Sequence, residues 1–193
     1  PEAEAVFDAT QVTALGEQAE RVRGNLRYTA GSLAVSGGQA DLGAGKLLFA
    51  GSFEHPADDF KNGAVKADVT AQSVIFSRVA ALRKLQPGID IEARLDGKAV
   101  VEAQVQRGTL QLRSLSGAAS AHSVTLDKEM LGDVNVSAET NGSDLALQVK
   151  AQLRGTPLEA QGKWRMAGDF PGSATFRFPR LSELDVTIRP ARI

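Results

Sequence analysis

The chain of 193 residues carries 22 Lys plus Arg against 23 Asp plus Glu, with 42% hydrophobic, 23% charged and 5% aromatic residues and no cysteine. A net charge of −1 leaves no basic excess to hold a phosphate backbone, which excludes nucleic acid as the main partner. The missing cysteines exclude disulfides, thiolate metal sites and a cysteine nucleophile.

Turn chemistry comes first along the chain, at Gly31-Ser32, Gly37-Gly38 and Gly43-Ala44-Gly45, and again at Asn62-Gly63. Val65, Ala67 and Val69 then alternate with Lys66, Asp68 and Thr70. Gln72 to Gln86 breaks this period of two. Ile75, Val79, Leu82 and Leu85 stand at helical spacing, and Pro87-Gly88 stops the run. The spacing predicts a short amphipathic helix that plugs an apolar opening or, through Arg78, Arg83 and Lys84, docks on a membrane surface.

Alternation resumes with Ile89, Ile91, Ala93 and Leu95, and again with Ala99, Val101, Ala103 and Val105. Asp96-Gly97 separates these runs and predicts a two-residue hairpin turn. Arg107-Gly108 marks the next turn. Val134, Val136 and Ala138 alternate before Asn141-Gly142. Leu145, Leu147, Val149, Ala151 and Leu153 follow, then Leu158, Ala160, Gly162, Trp164 and Met166. Pro171-Gly172 precedes Ala174, Phe176 and Phe178. Successive strand side chains point to opposite faces, so each run has one apolar and one polar face. Roughly a dozen strands at the spacing of all-β proteins, joined by short turns, predict an antiparallel meander.

Two stretches align at an offset of about 110 residues by the logic of internal repeats. They are GSLAVSGGQADLGAGKLLFAGSFEH from Gly31 and GSDLALQVKAQLRGTPLEAQGKWRM from Gly142. Repeat-like units at about 25–86 and 131–188, joined by a meander over 87–130, are expected in a structure that grows by adding strands. The sequence is therefore expected to be a segment of a longer repetitive β-shaft. No run approaches the roughly 18 apolar residues of a membrane helix, and no signal peptide is visible. Any anchor is expected outside this sequence.

The pattern LAVSGGQADLGAGKLLFAGSFEH followed by NGAVKADVTAQSVIFSRVAALRKLQPGIDIEARLDGK resembles the AsmA-like superfamily, with the TamB type nearest. The resemblance covers roughly residues 10 to 185. It departs at Asp90, where the family often has glycine. It implies an all-β fold: an antiparallel meander curled into an elongated, open, taco-like groove with one or two short amphipathic helices. It also implies a periplasmic location in a diderm bacterium and an inner-membrane anchor. The implied role is phospholipid transport to the outer membrane, or protein assembly in it with an outer-membrane barrel partner acting through the full-length protein.

A single curled sheet would leave its apolar face lining a groove for phospholipid acyl chains. The expected lining is Leu47, Phe49, Val65, Val69, Ile89, Ile91, Leu95, Val101, Val105, Leu110, Leu112, Val134, Val136, Leu145, Leu147, Val149, Leu158, Trp164, Met166, Phe176 and Phe178. For Trp164, core packing is the simpler reading and a groove-lining or rim position the other. The alternative is a structural or adhesive β-repeat module that binds no lipid.

Nothing in the sequence argues for an enzyme, a cofactor or a metal. His55 and His122 are the only histidines, and neither stands at ligand spacing or beside a nucleophile. His55-Pro56-Ala57-Asp58-Asp59 reads as a solvated loop, because no calcium-loop carboxylates follow. There is no phosphate-binding glycine loop, dinucleotide fingerprint or nucleophile elbow.

Overall fold

The computed structural model describes residues 2–14, 16–79, 90–166 and 172–177. Eleven strands form one antiparallel sheet in strict chain order. They are β1 (Ala3–Ala14), β2 (Glu17–Thr29), β3 (Ser32–Leu42), β4 (Gly45–Glu54), β5 (Gly63–Ile75) and β6 (Ile91–Gln106), then β7 (Thr109–Leu126), β8 (Glu129–Asn141), β9 (Asp144–Leu153), β10 (Thr156–Arg165) and β11 (Gly172–Arg177). Among the described residues β1 pairs only with β2 and β11 only with β10, so the sheet they form is open. The turns carry the positive φ angles that hairpins with the sheet's twist require, as at Arg107-Gly108 and Arg154-Gly155.

Register carries the two-faced chemistry across the whole sheet. One rung runs Ala9, Val22, Ala40, Leu47, Ala71, Gly97, Ala119, Val136, Val149 and Ala160. The rung on the other side of the pleat runs Asp8, Arg23, Gln39, Leu48, Thr70, Lys98, Ala118, Ser137, Gln148 and Gln161. Directly opposed residues share a face, so the first rung is apolar from β1 to β10 and the second is mainly polar.

Among the described residues, no second layer covers the apolar face. The buried apolar ones among the described residues are Val74, Ala93, Ala103, Ala151 and Ala160, and no large side chain is fully buried. A two-layer sandwich would bury its largest apolar residues between sheets.

Three expectations are corrected. Asp96-Gly97 is not a turn; it lies inside the continuous strand β6. The Asp96 carboxylate accepts a hydrogen bond from the Ser73 amide at 2.9 Å, where β5 bulges and Ser73 takes φ +52°. Gly97 is small because the β7 backbone approaches closely: an added Cβ would lie 2.8 Å from the Ala118 carbonyl. Gly37-Gly38 is likewise a bulge within β3, with Gly37 at φ +59°.

The helix expected over Gln72–Gln86 is corrected where it can be seen. Gln72–Ile75 ends β5, paired through Val74 and Ile75 with Leu95 and Arg94, and Phe76–Arg78 makes a single 3-10 turn. Strand pairing outweighs the local helical spacing here. The remainder of that segment, 80–86, lies outside the described residues.

Candidate groove on the apolar face

The strands place Leu33, Val35, Leu47, Phe49, Phe53, Val65 and Val69 around a cavity of about 500 Å³ over β3–β5. A second, of about 350 Å³, lies over β5–β8 between Val69, Ala71, Leu95, Ala99, Leu115, Ala119, Val136 and Ala138. A third, of about 390 Å³, takes Val12, Glu17, Ala19, Val22, Ala40, Leu42, Leu47, Ala71, Val74 and Leu95 from six successive strands, and Val79 from just past the 3-10 turn. Six strands laid flat would span about 24 Å at the usual spacing, so one cavity touching all of them requires a curled sheet. The cavities adjoin through Leu47, Val69, Ala71 and Leu95. The bulges at Gly37, Ser73 and Ser123 add the local twist that curls the strands.

Aromatic rings line this face without filling it. An added Cβ on Gly38 would strike the Phe49 ring, and one on Gly162 or Gly172 would strike Trp164. The rings lie over glycines of their own or the neighbouring strand, where any larger side chain would lift them into the groove.

Of the expected lining residues, Leu47, Phe49, Val65, Val69, Leu95 and Val136 line these cavities. Val101 and Val105 share their face through the partners Ala67 and Gly63. Val134, Leu145, Leu147, Val149, Leu158 and Trp164 continue it over β8–β10. Ile91 pairs with Leu126 at the start of β6, and Met166 caps β10 through its amide to the Ser143 carbonyl at 2.8 Å. Leu110 and Leu112 stand opposite Val105 and Ala103 but at the free end of β7, where Leu110 is 65% exposed. Phe176 holds the register position opposite Ala160. Ile89 and Phe178 lie outside the described residues.

Sequence reasoning missed Leu115, Val12, Ala19 and Val22. The β6–β7 register slips between Glu102 and Ala103, so Leu112 and Leu115 share a face despite unlike parity. The burial alternation of β2 slips at Glu20-Arg21, opposite the positive-φ residue Gln11.

Charge lies mainly on the other face and at the turns, with Glu17 at the start of β2 reaching the third cavity. Arg21 donates to Asp8, with Nε–Oδ1 at 2.8 Å, and this bond holds the Asp8 carboxyl below its ordinary value. Lys163 lies 2.7 Å from Asp144 and lowers it in the same way. Lys66 and Glu102 lie 3.7 Å apart across β5 and β6.

His55 is not the solvated loop residue expected. It is 6% exposed, with its ring between Phe53 and Phe60 at centroid distances of 5.2 and 4.3 Å. Among the described residues, no His, Asp and Glu group is placed to hold a metal ion, and no helix is long and apolar enough to cross a membrane. Compared with known proteins, the chain matches no family model, no curated protein and no solved structure.

Proposed function

We propose that this chain is a periplasmic segment of an AsmA-like protein of the TamB type, anchored in the inner membrane by a part outside this sequence. Its groove shields phospholipid acyl chains, or apolar segments of nascent outer-membrane proteins, on their way to the outer membrane. The observation that carries this reading is the run of adjoining apolar cavities on a face that no second layer covers among the described residues.

The energetics suit passage rather than storage. Each buried methylene is worth about 0.8 kcal/mol, so two 16-carbon tails gain on the order of 20 kcal/mol in the groove. They lose about as much on leaving the bilayer, and transfer is near balance. A continuous apolar surface suffices. Small side chains such as Ala71, Ala99, Ala119 and Ala138 leave room for tails.

The test is co-purification. Wild-type protein isolated from diderm cells should carry phospholipid detectable by mass spectrometry. Leu147→Glu on the apolar face should lose most of it, and Gln148→Glu on the polar face should keep it. Equal lipid in all three samples, or none in any, would contradict the proposal.

A further inference from the structure

At one end of the groove the apolar cavity over β1–β6 adjoins a polar one of about 500 Å³, and the two share Val12, Ala19 and Leu42. The polar cavity adds Gln11, Thr13, Gln18, Glu20, Ser77 and Arg78. The Arg78 guanidinium packs against Gly43, whose φ of +68° and missing Cβ leave it the space. Among the described residues Arg78 and Glu20 have neither an ion pair nor a side-chain hydrogen bond. This mouth thus holds one unpaired cation, one unpaired carboxylate and several neutral polar groups directly beside an apolar chamber.

That combination is amphiphilic, and Glu17, which lines the adjoining chamber, adds a second carboxylate at this end. A guanidinium binds a phosphate through paired N–H donors, and a carboxylate accepts from an ammonium. A net-anionic head would meet repulsion from Glu20, and an uncharged head would leave both groups unanswered. We propose that the mouth seats the head of a zwitterionic phospholipid, phosphate on Arg78 and ammonium towards Glu20, with its tail entering past Val12, Ala19 and Leu42. This rests on the acyl-groove reading above and adds head-group selectivity to it.

The test uses three soluble probes with one 14-carbon tail each: lysophosphatidylethanolamine, lysophosphatidylglycerol and monoacylglycerol. Their affinities are measured by titration calorimetry below their micellar concentrations. The wild-type chain should bind the ethanolamine probe about tenfold more tightly than monoacylglycerol, and about threefold more tightly than the glycerol phosphate. Arg78→Gln should bring both phosphate probes to the level of monoacylglycerol without changing the latter. Glu20→Gln should remove the preference for ethanolamine over glycerol. Equal binding of all three probes by the wild type, or an unchanged order in Arg78→Gln, would overturn the head-group site and leave the groove standing. Failure of every probe to bind the wild type would overturn both.

Discussion

The two faces of this sheet share every backbone hydrogen bond and differ in almost everything else. On the polar face, charged groups meet across strands, as Asp8 with Arg21 and Lys66 with Glu102. On the apolar face, side chains from ten strands meet no opposing layer among the described residues, and only small residues, Val74 and His55 are buried there. The difference separates two roles that a closed core combines. The ladder, its bulges and its close backbone approaches hold the fold, whereas the apolar side chains shape an open surface.

The largest expected effect therefore falls where backbones approach, whichever face is concerned. Gly97→Val should destabilise by about 2–3 kcal/mol in urea unfolding, because its Cβ meets the Ala118 carbonyl and the Ala119 side chain. Its neighbour Lys98→Val, exposed on the polar face, should change stability by less than about 0.5 kcal/mol. Equal effects would erase the distinction between backbone approach and face.

Bulge pins come next. Asp96→Ala and Asp133→Ala should each cost about 1.5 kcal/mol, since each carboxylate accepts from a bulged amide at 2.9 Å, of Ser73 and Ser123 respectively. Chemical denaturation that leaves either variant at wild-type stability would remove the pins from the account.

Leu47→Ala sharpens the contrast with a closed core. Leucine-to-alanine changes in filled interiors cost about 2.7–5 kcal/mol. Leu47 is half-buried over an open cavity, so about 1 kcal/mol is expected. A loss above about 3 kcal/mol in the same unfolding assay would indicate a filled interior.

The smallest effect is electrostatic and confined to acid. The bond from Arg21 lowers the folded Asp8 carboxyl below its ordinary 3.8. Its stabilising contribution is thus present above that value and fades as pH falls through the lower, folded one. Thermal melts of wild type and Asp8→Asn at low salt should differ slightly at pH 7 and converge towards pH 3. A gap that widens on acidification would reverse the sign.

Much of this architecture is legible in the sequence, because a half-buried strand writes its faces at a period of two. Leu145 to Leu153 and Leu158 to Trp164 stand as that alternation requires. The errors cluster where one dipeptide serves two purposes. Asp-Gly suits a hairpin turn, but at Asp96-Gly97 the same carboxylate pins a bulge on the next strand and the same small residue admits a close backbone. Only the pairing of β5 with β6, set by residues more than twenty positions apart, decides between them. The turn at Asp127-Lys128 has both residues at positive φ and no glycine to announce it. The mouth was hidden for a similar reason: Arg78 lies on a segment with helical spacing, and Gln11 and Glu20 on strands whose alternation slips.

The account's central claim is that acyl chains lie along one face of this sheet. Photo-crosslinking tests it most directly, with a phospholipid bearing a diazirine near the end of its tail and peptide mass spectrometry to place the adducts. The account predicts adducts at Leu47, Ala71, Ala99 and Val136 and few at Leu48, Thr70, Lys98 and Ser137, which stand one register step away. Adducts spread equally over both sets, or confined to the second, would contradict it.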